Sequence, residues 1–122
     1  MLSRSEIFAK SNGHCWYCGQ KIDLTGCWHI DHVKPVFRSA GVPAHREREC
    51  DENRVPACAP CNLFKGVYSV EGFREEISKQ VDRAAKSSVN FRTAQRFGLV
   101  KRTGHPVRFW FETNTPQEQR DE

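Results

Sequence analysis

The segment HIDHVKP at residues 29–35 lies between CWYCG at residues 15–19 and CAPCNLFKG at residues 58–66. Its Asp31 and His32, together with His29, are ionisable side chains beside apolar Ile30 and Val33, on a stretch that reads as a strand. Burying such groups without partners would be costly. An Asp-His pair framed by two Cys-x-x-Cys pairs therefore indicates a chemical site.

Four of the six cysteines form the two Cys-x-x-Cys pairs. Two such pairs can complete a tetrahedral thiolate site that leaves no open coordination position, so the pattern predicts a structural zinc ion. Redox dithiols or disulfides are the alternative. We interpret Cys27 and Cys50 as small residues, buried or half-exposed, in preference to additional metal ligands. The predicted zinc ligands are Cys15, Cys18, Cys58 and Cys61.

The chain has 122 residues, of which 38% are hydrophobic and 28% charged, with a net charge of +4. This size and composition are typical of one small globular domain with an appendage. No apolar run is long enough to cross a membrane. The N-terminal MLSRSEIFAK lacks an apolar signal region, so we expect a cytoplasmic protein. The mild positive charge favours a polyanionic partner.

The first half of the chain alternates short elements with loops. Ser3 and Glu6 have the spacing of a capping box and predict a helix over residues 4–10. Residues 20–33 resemble a hairpin that turns at DLTG, and residues 36–52 have no clear periodicity and are interpreted as a loop.

The second half is mainly helical by its periodicity. NRVPAC predicts a short extended segment, and Pro60 fits the first turn of a helix that begins near Ala59. Helical spacing returns over residues 70–85, and a further helix is expected over residues 91–97. Alternation over residues 107–112 predicts a strand, which a polar tail follows from about residue 113.

Three side chains carry the chemistry that a hydrolytic site needs. His32 suits a general base near neutral pH. Asp31 and Asn62 offer the hard oxygen ligands that magnesium or manganese prefers. On a strand, Asp31 and His32 point to opposite faces, so they serve one site only at the end of the strand.

The pattern resembles the HNH endonucleases, which have a ββα-metal fold. The resemblance covers residues 2–68 and rests on IFAKSNGHCWYCGQKI, IDHVKP, NRVPACAPCN and KG. It implies an α+β protein whose zinc-clamped ββα core occupies residues 1–68, with residues 69–122 as a helical and strand extension packed on it. It also implies hydrolysis of DNA phosphodiester bonds and a bacterial or phage origin.

The resemblance assigns roles to five residues. His32 is the general base, Asp31 and Asn62 bind the catalytic metal, Asn53 holds the loop of the motif and Lys65 lies near the phosphate. The founding pattern of the family has histidines at the positions of Asp31 and Asn62, and the Asp/Asn form favours magnesium or manganese.

Two groups of basic residues are candidate DNA contacts. Arg38 belongs to a loop over residues 36–50 that is richer in charge than the glycine-rich form expected of the family. Seven basic residues and no acidic residue lie between Arg83 and Phe111, which favours a phosphate-binding surface over an ordinary mixed surface. The candidate contacts are Arg38, Arg92, Arg96, Lys101 and Arg102.

Two other functions remain open from the sequence. A catalytically silent zinc module could bind nucleic acid, and an adaptor could use the zinc knuckles to bind proteins. The adaptor would need neither Asp31 nor Asn62. With one active site per chain, an endonuclease would cut both strands only as a homodimer or in two encounters.

Overall fold

Two antiparallel strands flanking a long insertion form the centre of the fold. A computed structural model describes residues 1–115. Strand β1 (Trp28–His32) pairs with β4 (Arg54–Cys58), so that Asp31 lies opposite Val55 and His32 opposite Arg54. Helix α2 (Ala59–Lys65) follows β4 directly and packs against both strands. These three elements make a ββα unit within an α+β fold.

Short elements fill the insertion and the C-terminal part. The insertion contains β2 (Arg38–Ser39) and β3 (Val42–Pro43), which pair with each other, and two 3₁₀ helices. Ala40 and Gly41, with φ of 52° and 81°, make the tight turn between β2 and β3. The remaining helices are α1 (Arg4–Ala9), α3 (Val70–Ser78), α4 (Gln80–Ser87), α5 (Val89–Arg96) and α6 (Trp110–Asn114).

Local sequence signals place three helices close to where they were expected. The Ser3 hydroxyl accepts from the Glu6 amide while the Glu6 carboxylate accepts from the Ser3 amide, which confirms the capping box of α1. Helix α2 begins at Ala59 and ends at Lys65, and Gly66, whose φ is 50°, caps it. Gly98, with φ of 74°, follows α5 and closes it.

The hairpin predicted over residues 20–33 is wrong. Residues 23–26 do form a turn, but residues 20–22 fold back on residues 13–15 and not on β1. The Cys15 amide donates to the Gln20 carbonyl, and the Ile22 amide donates to the Gly13 carbonyl. These backbone groups close the first cysteine knuckle, which is the turn that carries Cys15 and Cys18. Strand β1 pairs with the distant β4 instead.

The strand predicted over residues 107–112 is also wrong, although its alternation of burial is real. Phe109 and Phe111 are buried, but residues 101–109 have no regular secondary structure and α6 begins at Trp110. Within residues 1–115, no strand pairs with this segment. Its amides instead reach the cysteine knuckle, where the Trp110 amide donates to the Tyr17 carbonyl over 2.8 Å.

Two further expectations for the C-terminal part need correction. The helix expected over residues 70–85 is two helices, α3 and α4, which join at Lys79. The polar tail does not begin at residue 113, because residues 113–114 belong to α6 and Thr115 is buried. The rest of that tail lies outside the described residues.

An aromatic cluster joins the knuckle to the C-terminal part. Tyr17 meets Phe73 edge-on at 5.4 Å between ring centroids, and Phe73 stacks on Phe109 at 5.3 Å. Trp16 stacks on Phe111 at 5.6 Å. The core therefore contains residues from both before and after residue 68. The division into domains 1–68 and 69–122 stays a prediction.

Candidate active site and metal centre

The two Cys-x-x-Cys pairs converge on one point. The four Sγ atoms of Cys15, Cys18, Cys58 and Cys61 all lie within 4.8 Å of one another. Sulfurs at the corners of a tetrahedron with metal–sulfur bonds of 2.3 Å would be about 3.8 Å apart, and Cys18 Sγ lies 3.7 Å from Cys58 Sγ. The four cysteines are therefore positioned to hold a metal ion.

The electrostatics of the cluster also suit a cation. A hydrogen bond from the Cys61 thiol, supported by backbone amides, lowers the pKa of Cys15 to about 4. Burial raises the pKa of Cys58 to about 11, and the hydrogen bond to Cys15 raises the pKa of Cys61. Repulsion between four thiolates this close disfavours ionisation of all four when no metal is bound. A bound cation would offset that repulsion and favour the thiolate forms.

Cys27 and Cys50 are separate from this cluster. Cys27 is exposed and Cys50 is half-buried. Within residues 1–115, neither belongs to a group that could hold a metal. Their positions agree with the interpretation of both as residues outside the metal site.

The Asp31 carboxylate is held by two buried side chains. The Tyr17 hydroxyl donates to Asp31 Oδ2 over 2.6 Å, and Lys65 Nζ lies 3.2 Å from the same oxygen. Asp31 is 6% exposed and Lys65 is fully buried. Lys65 also donates to the His32 carbonyl over 3.0 Å, so one ammonium group ties α2 to both members of the Asp-His pair.

The expectation that Lys65 lies near the phosphate stays a prediction. In the structure the Lys65 side chain has no solvent exposure and lies beside Asp31. The buried ammonium needs a negative partner, and Asp31 supplies it. Tyr17 was missed from the sequence, because nothing in the CWYCG pattern distinguishes a core tyrosine from one that binds a carboxylate.

His32 faces the insertion and not the Lys65 side. Its Nε2 lies 3.0 Å from Glu49 Oε1, and the Arg38 guanidinium lies 3.0 Å from the same oxygen. Nε2 is shielded from solvent, and its approach to Glu49 is at ion-pair distance without the angle of a hydrogen bond. Glu49 was also missed, because a loop acid has no sequence signal for its partner.

Asn53 and Asn62 occupy different parts of the site. The Asn53 side chain is buried and donates to the carbonyls of Lys34 and Arg48, while its oxygen accepts from the Lys34 amide, each over 2.8 Å. These contacts tie the start of the insertion to its end. Asn62 is half-buried on α2, three residues before Lys65 and so on the same face of the helix.

The candidate DNA contacts differ in whether their charged groups already have partners within the protein. Arg92 donates to the carbonyls of Ala85 and Lys86 at the end of α4, and Arg102 pairs with Asp82. Arg96 and Lys101 have no ion pair with an acid among residues 1–115. Only part of the predicted surface is therefore free of neighbouring acids.

The site lies in a segment that matches a known family. Residues 15–67 match the model of the family described as HNH endonuclease. The matched range holds both cysteine pairs, β1, the insertion, β4 and α2. This match confirms the resemblance inferred from the sequence. No curated protein gives a significant match to the chain.

No helix within residues 1–115 is both long and apolar enough to cross a membrane.

Proposed function

We propose, on the premise that residues 15–67 belong to the HNH endonuclease family, that this protein is a metal-dependent DNA endonuclease. The observation that carries the proposal is the buried Asp31 carboxylate, held by Tyr17 and Lys65 directly beside His32. A nuclease uses such a carboxylate as a metal ligand beside its general base, whereas an adaptor that binds proteins through the zinc site does not require Asp31.

The cysteine cluster fits a structural zinc ion. Four thiolates in a tetrahedron are a soft donor set with no open coordination position. Bound zinc would join the first knuckle to β4 and α2, and so fix the base of the insertion. The ligands would be Cys15, Cys18, Cys58 and Cys61.

Asp31 and Asn62 fit a catalytic magnesium or manganese ion. Both offer hard oxygen ligands. Asn62 lies on the same face of α2 as Lys65, and Lys65 pairs with Asp31. Such an ion, when bound, would stabilise the negative charge that grows on the phosphoryl and leaving oxygens. Tyr17 and Lys65 would keep the Asp31 carboxylate ionised and in one orientation.

His32 would act as the general base. It would accept a proton from the water that attacks the phosphorus of the scissile bond. Asn53 would hold the loop that surrounds His32, through its bonds to Lys34 and Arg48. One such site per chain means that cutting both strands needs a homodimer or two encounters.

Arg96 and Lys101 are the best candidates for contacts with the DNA backbone, because no neighbouring acid neutralises them among the described residues. Arg102 and Arg92 would contribute only after giving up their present partners, Asp82 and the carbonyls at the end of α4. Such contacts would position a duplex without reading its sequence. The natural setting of this activity would be the cytoplasm.

A cleavage assay on supercoiled and linear DNA tests the proposal. We expect cleavage with magnesium or manganese and none when both are withheld, with the same zinc content measured in each sample. Binding of DNA without cleavage in any divalent metal would support the silent nucleic-acid-binding module instead. Sequencing the product ends would then give the cut geometry.

A further inference from the structure

Glu49 lies between the candidate general base and an exposed arginine. Its Oε1 is 3.0 Å from His32 Nε2 and 3.0 Å from the Arg38 guanidinium. The carboxylate is 30% exposed and the His32 side chain 24% exposed, so the contact lies at the edge of the site. Neither the family match nor the sequence pattern assigns this acid a role.

The position of Glu49 distinguishes the two ring nitrogens of His32. Nε2 faces the carboxylate and is shielded from solvent, so the exposed part of the ring lies on its other atoms. A carboxylate beside one ring nitrogen favours the tautomer that carries its proton there. The lone pair then lies on Nδ1.

Metal binding is a poor explanation of this acid. The ligand atoms of Asp31, His32 and Glu49 do not come together as a three-residue metal group anywhere in the described chain. An ordinary surface ion pair explains the Arg38 contact, but not why a shielded imidazole nitrogen faces the same oxygen.

We propose that Glu49 is a positioning residue that holds His32 in the tautomer protonated at Nε2, with Arg38 holding Glu49 in place. The assignment of Nδ1 as the proton acceptor rests on the proposed function. The hydrogen bond from Nε2 to Glu49 would tighten when substrate orders the insertion, since catalytic hydrogen bonds are often poorly aligned in free enzymes.

Long-range ¹H–¹⁵N NMR of the intact protein with labelled histidine tests the proposal at a pH where the rings are neutral. Wild-type His32 should show the tautomer protonated at Nε2. Glu49→Ala should convert it to a mixture, while Glu49→Gln should largely restore the single form, because the amide oxygen can accept the same proton. Glu47→Ala is the matched control, because Glu47 is exposed in the same loop and pairs with His45.

Steady-state cleavage gives a second measurement. Glu49→Ala should lower kcat by about 10–100-fold, the usual loss when a group that orients a histidine is removed, and should leave KM for DNA nearly unchanged. Glu49→Gln should recover part of kcat. If Glu49 served only as a structural ion pair, the recovery of kcat in Glu49→Gln would not follow the recovery of the His32 tautomer.

The two proposals fail in different ways. If wild-type His32 carries its proton on Nδ1, or if Glu49→Ala leaves the tautomer unchanged, the positioning role is overturned. If the tautomer responds as expected but wild-type protein cleaves no DNA, the positioning role stands and the endonuclease proposal fails. Should Glu49→Ala not fold, the wild-type tautomer and Glu49→Gln still decide the question.

Discussion

Lys65 Nζ lies 3.2 Å from Asp31 Oδ2, and the lysine is fully buried on the helix that follows the second cysteine pair. The contact joins α2 to β1 at the residue proposed to bind the catalytic metal. Because Tyr17 of the first knuckle donates to the same oxygen, three separate parts of the chain meet at one carboxylate.

Removing the Lys65 charge should destabilise the fold. Lys65→Met leaves the Asp31 carboxylate buried without its cation, which typically costs about 3–5 kcal/mol. Urea unfolding measures the loss, and Lys101→Met, at an exposed lysine, should change the stability by less than about 0.5 kcal/mol. The double variant with Asp31→Asn should recover part of the loss, whereas additive losses would show that the two groups do not interact.

Removing the Tyr17 hydroxyl should have a smaller effect. Tyr17→Phe keeps the ring contacts with Phe73 and Phe109 but loses a bond to a charged acceptor, which is worth about 1.5–3 kcal/mol. We expect lower stability and weaker binding of manganese, measured by calorimetry or electron paramagnetic resonance. Unchanged stability and manganese affinity would mean that the hydroxyl does not hold Asp31.

Zinc binding should strengthen as the pH rises. The pKa of Cys58 is raised to about 11 and that of Cys61 is also raised, so both thiols carry protons at neutral pH in the metal-free cluster. Zinc must displace these protons, and acid therefore favours release of the metal. Competition with a chelator between pH 6 and pH 8 measures this effect, and an affinity independent of pH would contradict it.

Elemental analysis should find one zinc ion per chain in the same protein. Cys58→Ser should lose folded protein as well as zinc, because the ion joins parts of the chain that are far apart in sequence. Cys27→Ser is the matched control and should keep both. A folded Cys58→Ser variant without zinc would contradict the structural role.

The basic surface can be tested without disturbing α4. Arg96→Ala with Lys101→Ala should weaken binding to all duplexes alike and flatten the salt dependence by about one unit of slope per lost phosphate contact. Arg83→Ala is the control, because Arg83 already pairs with Glu76. An unchanged salt slope in the double variant would place the DNA path elsewhere. Arg92 is unsuitable here, since its loss would also uncap α4.

Chemistry within a few residues explains what could be predicted from the sequence. The Ser3–Glu6 capping box, the helix begun by Pro60 and the spacing of the cysteine pairs are local signals, and the structure has all three. The partner of β1 is not a local property. The side chains of residues 20–22 suited a strand beside β1. Their backbone groups instead bond to residues 13–15 and close the first knuckle.

The long-range contacts at the site could not be predicted for the same reason. The burial of Lys65 has no local signal in the sequence, and only the tertiary contact with Asp31 accounts for it. The alternation at Phe109 and Phe111 predicted their burial correctly, but the backbone there is not a strand, since none of the strands in the described part of the chain pairs with it. Tyr17 and Glu49 act through distant partners that no pattern identifies.

The most direct measurement compares two histidines of the same strand. Purified His32→Ala and His29→Ala proteins would be assayed for DNA cleavage in magnesium and manganese, with zinc content and DNA affinity measured alongside. His29 lies exposed on β1, so its replacement tests damage to the strand alone. The account predicts that His32→Ala loses cleavage by about 10²–10⁴-fold or more, with zinc and affinity kept, and that His29→Ala cleaves normally. Full cleavage by His32→Ala would contradict it.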